Sequence, residues 1–395
     1  MTSRHYVPVT VGLCFLIAVL EGFDIQAMGV AAPRLVREFA FDPKQMGWVF
    51  SISNVGLVIG AIFGGWLADK LGRKPIFIGA VAIFGTFTLL TAFVAKFDTL
   101  MVIRFCAGLG FGAALPNMMA IAAEISRPER AASTAAIMFC GMPVGGGLSA
   151  LATQLLPAGF DWRTLFLLGG ILPLILIPAL TWLMPETLTR ASASDRVAKT
   201  SIVEALFGGG RAGSTLLLWL TFLPTLLILY LILNWLPTLV IANGFDSETA
   251  PRTSMAFNFG SVAGALMFGR LADQFHFRWP LTLAYLGVIA SLILLGVADS
   301  PGVTILMSGA VGFFLLGANY ALYGVAPKYY SGPIRGTGSG ASVAVGRVGS
   351  ILGPLLAGLL MGGGASATSV LRYMIPVAAV AAIAVLALSF KPTRV

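Results

Sequence analysis

Residues 214–242 read STLLLWLTFLPTLLILYLILNWLPTLVIA and contain no charged side chain. An α-helix needs about 20 apolar residues to cross the hydrocarbon core of a bilayer, and this run exceeds that length. Its apolar residues are continuous rather than alternating with polar ones, which is not the pattern of a transmembrane β-strand. The stretch therefore predicts a membrane-spanning helix.

Eleven other runs of similar length and hydropathy cover most of the remaining chain. Together with the first, they predict an all-α polytopic membrane protein. The twelve predicted spans lie at about residues 8–32, 45–68, 75–95, 99–123, 131–156, 163–184, 214–242, 251–272, 279–298, 302–326, 337–361 and 368–390.

The composition excludes several other classes of protein. Only 10% of the 395 residues are charged and 57% are hydrophobic, with a mean hydropathy of +0.91, whereas soluble domains average about 25% charged residues. The net charge of +9 is not gathered into a basic stripe, so nucleic-acid binding is not expected. Three isolated cysteines predict neither a disulfide framework nor a metal site.

A polar stretch divides the predicted spans six and six. We predict an N-terminal bundle at residues 1–184, a cytoplasmic linker at 185–213 and a C-terminal bundle at 214–395. The two halves share a motif at a helix end, GGWLADKLGRKP (Gly64–Pro75) and FGRLADQFHFRWP (Phe268–Pro280). Internal repeats of this kind are typical of secondary transporters.

The distribution of Lys and Arg predicts the orientation of the chain. Sixteen of the 25 lie on the side of the membrane that both termini share, and seven lie on the opposite side. By the positive-inside rule, both termini are expected in the cytoplasm. We expect this multi-pass protein in the cytoplasmic (inner) membrane of a bacterium.

Glu21 and Asp24 are the only acidic residues within the twelve predicted spans. An acid at the centre of a spanning helix costs about 2.5–3.5 kcal/mol on insertion scales, so such residues usually have a function. Positions i and i+3 lie on one helix face. We predict that the two acids carry protons; the alternative is an acid neutralised by a buried cation.

Arg104 and Arg347 are the cations furthest inside the spans, and a guanidinium is a suitable partner for a substrate carboxylate. For Arg104, the alternative is a buried arginine that partners an acid and holds the bundle together; for Arg347, it is a role in helix packing. Polar and aromatic residues of the spans can hydrogen-bond or stack on an aromatic ring. The predicted substrate-binding residues are Arg347, Arg104, Asn234, Tyr230, Asn319, Tyr323 and Phe23.

Several motifs resemble those of the major facilitator superfamily over essentially the whole chain: GGWLADKLGRK (64–74), RFCAGLGFGAALPN (104–117) and GMPVGGG (141–147). Within that superfamily, EGFDIQAMGVAAP (21–33) and GRVGSILGPLLAG (346–358) resemble the aromatic acid:proton symporters, particularly those for 3-hydroxyphenylpropionate and related acids. The usual first-helix motif of that family is Asp-Gly-x-Asp, and here a glutamate stands in the first position.

The resemblance implies two six-helix bundles and import of an aromatic carboxylate with protons by alternating access. The anion is expected near the midplane between the bundles, held by Arg347 with Arg104, while Glu21 and Asp24 carry the protons. It also implies a cytoplasmic latch formed by Asp69, Arg73 and Glu124. The expected partners are the substrate, protons and the lipid bilayer; we expect a monomer without a cofactor.

Other functions are less consistent with the sequence. Proton-driven efflux, or transport of another organic anion, stays open because sequence does not determine direction. An intramembrane aspartyl protease needs acids on two facing helices, and a serine protease needs a histidine in the membrane. Here both acids lie on one helix, and His5 and His276 lie outside the spans. The two-bundle repeat favours a carrier over a channel.

Overall fold

The computed structural model describes residues 6–126, 131–156, 161–186 and 201–393. These residues are almost entirely helical, and two short 3-10 turns separate the twelfth helix from the thirteenth. In chain order, the α-helices of the described residues are α1 (Tyr6–Phe39), α2 (Pro43–Leu71), α3 (Arg73–Thr91), α4 (Phe97–Ile125), α5 (Ala131–Phe139), α6 (Gly141–Leu155), α7 (Arg163–Leu183), α8 (Ile202–Phe207), α9 (Ala212–Ala242), α10 (Thr249–Gln274), α11 (Arg278–Gly296), α12 (Pro301–Val325), α13 (Arg335–Gly362) and α14 (Ala367–Leu388).

Ten helices of the described residues are long and apolar enough to cross a membrane: α1 to α4, α7, α9 and α11 to α14. The two remaining predicted spans are also helical. The fifth is formed by α5 and α6, and the eighth is α10, whose 26 residues include several buried polar side chains that lower its hydropathy. The predicted all-α membrane fold is confirmed.

The fifth span is broken at Cys140, between α5 and α6. Pro143 lies in the first turn of α6 and has no backbone N–H to donate to the carbonyl of Phe139, four residues earlier. Phe139 is the last residue of α5. The proline therefore accounts for the interruption of a run that appears continuous in hydropathy.

The chain forms two compact units. The first comprises Met1–Phe41 and Trp48–Arg196, and the second comprises Asp42–Gly47 and Val197–Val395. Residues 187–200 of the predicted linker lie outside the described residues. Within its later part, α8 begins after Ser201, whose side chain accepts a hydrogen bond from the backbone N–H of Glu204. The linker boundaries stay a prediction.

Each unit has the same internal helix pairing, which is the structural form of the sequence repeat. In the first unit, α1 packs against α6, and α3 packs against both α4 and α7. In the second unit, α9 packs against α13, and α11 packs against both α12 and α14. In terms of spans, the pairs 1–5, 3–4 and 3–6 recur as 7–11, 9–10 and 9–12.

Glycines allow α1 and α6 to approach with their backbones in contact. A Cβ on Gly22 would overlap the carbonyl of Met142, and a Cβ on Gly145 would overlap the carbonyl of Val19. Small residues at helix interfaces are the usual route to such close packing in membranes. Glycines of α13 approach the backbone of α9 in the same way in the second unit. The position of the first-helix acids is therefore fixed by the contact of α1 with α6.

Candidate transport site

A buried ion pair joins α1 to α4 in the first unit. Arg104 donates from Nη1 to Oδ1 of Asp24 at 3.0 Å and from Nη2 to Oδ2 at 2.8 Å. The side chains are 2% and 0% exposed, respectively. Arg104 also donates from Nε to Oγ of Ser53 on α2, at 3.2 Å. This two-bond arrangement is the strongest form of an arginine–carboxylate contact.

The structure thus gives Arg104 a partner within its own unit. Both of its Nη atoms are engaged by Asp24, and its guanidinium lies 5.9 Å from the ring centre of Phe166. Of the two interpretations that the sequence left open, this geometry matches the buried arginine that neutralises an acid. A substrate carboxylate would bind to the Nη atoms of Arg104 only after Asp24 has released them.

Glu21 lies one turn before Asp24 on α1 and its side chain is fully buried. The two predicted proton-carrying residues are therefore both withdrawn from solvent within the same unit. Phe23, between them in sequence, is also buried and points towards Gly169 of α7. That contact is one of helix packing within the first unit.

In the second unit, Arg347 of α13 is half-buried and contacts the phenol of Tyr230 on α9. Its Nη1 donates to the Tyr230 hydroxyl at 2.9 Å. Asn234, one turn further along α9, donates from Nδ2 to the backbone carbonyl of Tyr230 at 2.7 Å. Tyr230 and Asn234 are therefore joined by a hydrogen bond within α9. Of the two, Tyr230 is the residue whose side chain contacts Arg347.

The predicted pair on α12 lies beside this arginine. Asn319 lies one turn before Tyr323 on the same face of α12, and Tyr323 is within electrostatic range of both Arg347 and Tyr230. Tyr323 is 36% exposed, and its ring meets that of Phe222 on α9 edge to face, with centroids 5.6 Å apart. We call Arg347, Tyr230, Asn319, Tyr323 and Phe222 the arginine–aromatic cluster.

The three residues of the predicted latch also contact one another. Arg73 Nη2 lies 3.2 Å from Asp69 Oδ1, and Arg73 Nε lies 3.3 Å from Glu124 Oε1. Asp69 is 62% exposed on its side chain, so this pair by itself contributes little stability. The contacts join the end of α2, the start of α3 and the end of α4.

A third carboxylate, that of Glu186, caps α3. Its Oε1 accepts from the backbone N–H of Arg73 at 3.0 Å, and its Oε2 accepts from the N–H of Lys74 at 3.3 Å. Asp69 contacts the Arg73 side chain, whereas the carboxylate that caps the backbone of α3 is that of Glu186. An anion there satisfies N–H groups that have no partner within the helix. Gly72 makes the tight turn before α3 possible, since its φ is 106°.

Ser53, Phe222 and Glu186 were not among the predicted site residues. Only Glu186 carries a signal in the sequence, as an acid that directly follows an apolar span. The side chain of Asp273, the counterpart of Asp69 in the second half, lies outside the described set. Within the described ranges, no group of three His, Cys, Asp or Glu residues is arranged to hold a metal ion.

The fold and these sites define a membrane transporter rather than an enzyme. The chain belongs to the major facilitator superfamily, whose family model matches residues 14–257. Crystal structures of that fold are similar to it, including one of a D-xylose-proton symporter, with a TM-score of 0.79, 16% identity and 98% of each chain covered.

Relatives by sequence are transporters of aromatic acids. The chain is 41% identical over 394 residues to the 3-(3-hydroxyphenyl)propionate transporter of Escherichia coli, covering 100% of this chain and 97% of the relative. It is 34% identical to the 4-hydroxybenzoate transporter of Pseudomonas aeruginosa, covering 95% and 90%. It is also 34% identical to a gallate transporter of Pseudomonas putida, covering 88% and 84%. The resemblance inferred from motifs is confirmed.

Proposed function

We propose that this protein imports a hydroxylated aromatic carboxylate together with protons, by alternating access, across the cytoplasmic membrane of a bacterium. The relatives named for 3-(3-hydroxyphenyl)propionate, 4-hydroxybenzoate and gallate support the substrate class. The observation that carries the proposal is the arginine–aromatic cluster, which combines a guanidinium with aromatic rings inside an apolar helical unit.

Arg347 is the proposed partner of the substrate carboxylate. Its Nη1 donates to the Tyr230 hydroxyl, a hydrogen bond that a substrate carboxylate could accept in place of the phenol. A planar guanidinium binds a carboxylate through two parallel hydrogen bonds, and the neighbouring rings of Tyr230, Tyr323 and Phe222 suit an aromatic substrate.

Proton coupling is proposed to act through the charge balance at Asp24. While Asp24 is ionised, its charge and that of Arg104 compensate each other in a buried position. Protonation of Asp24 leaves the guanidinium without that counter-charge, which is costly in a buried site. Proton uptake therefore favours the arrival of an anion, and Glu21 supplies a second buried carboxyl on the same helix.

The proposed orientation has both termini in the cytoplasm, supported by the excess of Lys and Arg on their side of the membrane. We further propose that the protein works as a monomer, because a single chain contains both the proposed carboxylate partner, Arg347, and the proposed proton-carrying residues, Glu21 and Asp24.

The first test is uptake of labelled 3-(3-hydroxyphenyl)propionate into liposomes that contain the purified protein. We expect accumulation when the outside is more acidic, and collapse of this accumulation on addition of a protonophore. Neutral aromatic acids also cross lipid unaided and collect in an alkaline lumen, so liposomes without protein give the baseline. Only accumulation above that baseline is taken as transport by the protein.

The direction of the gradient separates the proposal from its main competitor. Protein-dependent accumulation only when the lumen is more acidic would indicate proton exchange, as in an efflux carrier, and would contradict import with protons. Equal protein-dependent uptake with and without a gradient would contradict proton coupling altogether.

A further inference from the structure

Asn319 holds a buried hydrogen-bond acceptor next to the proposed carboxylate site. Its side chain is 6% exposed, and it lies one turn before Tyr323 on the same face of α12. The carboxamide oxygen, Oδ1, has no hydrogen-bond partner within the described part of the chain. A buried acceptor without a partner costs about 1–3 kcal/mol, so such atoms are rare unless they have a use.

One other amide oxygen of the described residues is in the same state, that of Asn117 on α4. The surroundings of the two amides differ. Asn117 donates from Nδ2 to the carbonyl of Ala113 in its own helix, at 2.8 Å. Asn319 instead lies one turn before Tyr323 on the same helix face, and Tyr323 is near Arg347 and 36% exposed. Only Asn319 is thus connected to a group that can meet a ligand.

We propose that Asn319 determines the preference of this transporter for ring-hydroxylated acids: its Oδ1 accepts a hydrogen bond from a hydroxyl on the aromatic ring of a substrate whose carboxylate is bound by Arg347. This inference rests on the proposed function. It assigns opposite ends of the substrate to two helices of one unit, the carboxylate to α13 and the hydroxyl to α12.

A site that hydrogen-bonds a substrate hydroxyl discriminates strongly against the analogue that lacks it, because the buried acceptor is then left without a partner. The wild-type protein should therefore bind 3-(3-hydroxyphenyl)propionate about tenfold more tightly than 3-phenylpropionate. Asn319→Leu should reduce this preference to nearly one, by weakening the hydroxylated acid while leaving 3-phenylpropionate bound as well or better.

The experiment measures binding of both acids to purified wild type, Asn319→Leu and Asn117→Leu. Asn117→Leu is the matched control, since it removes the same kind of buried amide from the other unit and should retain the tenfold preference. Binding of 3-phenylpropionate reports that each variant is folded. Asn319→Asp, which keeps a carboxyl oxygen at the position, should retain part of the preference.

The outcomes are distinct. If wild type binds both acids but Asn319→Leu keeps the full preference, or Asn117→Leu loses it equally, Asn319 is not the hydroxyl-binding residue and the proposed function stands. If Asn319→Leu weakens both acids by the same factor, its role is structural and the inference is wrong. If neither acid binds to wild type, both the proposed function and this inference are overturned.

Discussion

The ion pair of Asp24 and Arg104 is costly to disrupt from one side, because both side chains are almost fully buried. Removing one partner of such a pair typically destabilises a protein by about 3–5 kcal/mol, since the other charge stays buried without compensation. Removing both charges is much less harmful. Residue-scale experiments can use this difference to separate folding from transport.

For Asp24→Asn we expect a clear loss of thermal stability and loss of uptake driven by the pH gradient. The double variant Asp24→Asn with Arg104→Gln should recover most of the stability, because no unmatched charge remains, but it should not recover gradient-driven uptake. Thermal unfolding in detergent and uptake into liposomes measure the two effects. Gradient-driven uptake at the wild-type level in either variant would rule out Asp24 as a coupling residue.

The role of Arg347 can be tested through the charge of the ligand. Arg347→Ala should weaken binding of an aromatic acid by at least about thirtyfold, and Arg347→Lys should weaken it less, because the lysine keeps the charge but loses the planar fork. The uncharged amide of the same acid should bind poorly to wild type and lose little more in Arg347→Ala. Acid and amide binding to both proteins form a double-mutant cycle.

An unchanged preference for the acid over the amide in a folded Arg347→Ala variant would place the anion elsewhere. Arg104 is then the next candidate, which would require that Asp24 release it during transport.

At the scale of elements, the start of α3 is held by side chains from three other helices or their ends. Asp69 and Glu124 contact the Arg73 side chain, Glu186 caps the backbone, and Lys74 donates from Nζ to the carbonyl of Thr181 at 2.6 Å. These contacts are local to the first unit. Because they are partly exposed, their individual contributions to stability are small, and their effect is expected on conformational balance.

Asp69→Asn should therefore slow transport several-fold while leaving substrate affinity largely intact. Glu248→Gln is a matched control, since it also breaks an exposed i, i+4 pair, that with Arg252 at 3.3 Å, and it should leave both properties unchanged. Substrate binding and initial uptake rates of the two variants make the comparison. Loss of binding with normal turnover of the residual substrate would show that Asp69 is not part of a latch.

At the scale of the whole molecule, the structural features that could be predicted from the sequence are those encoded by continuous or repeated residue patterns. Long apolar runs predicted the helices, and the duplicated Leu-Ala-Asp motif predicted a repeat that is visible as equivalent helix pairing in each unit. The pairing of Arg73 with Glu124 was also predicted, with the help of a family motif. Such features are local, or are shared by many related chains.

Contacts between distant segments were harder to predict. Nothing in the sequence determines whether Arg104 faces Asp24 or a substrate, because that depends on how α1 and α4 are rotated against each other. Ser53 and Phe222 are two of many similar residues, so their contacts with Arg104 and Tyr323 carried no signal. The break at Cys140 was missed because a hydropathy pattern does not register a missing N–H, although Pro143 is visible in the sequence.

The backbone contact of α1 with α6 has a consequence for how the first-helix motif can change. Gly22, which touches the Met142 carbonyl, stands between Glu21 and Asp24. Any larger residue at that position would wedge the two helices apart and move both acids relative to Arg104. The four residues 21–24 thus determine both the charge near Arg104 and the close packing of α1 on α6. A substitution that changes the packing also changes the position of the charges. A glutamate can replace an aspartate in such a segment, as at residue 21, but the glycine beside it has no substitute.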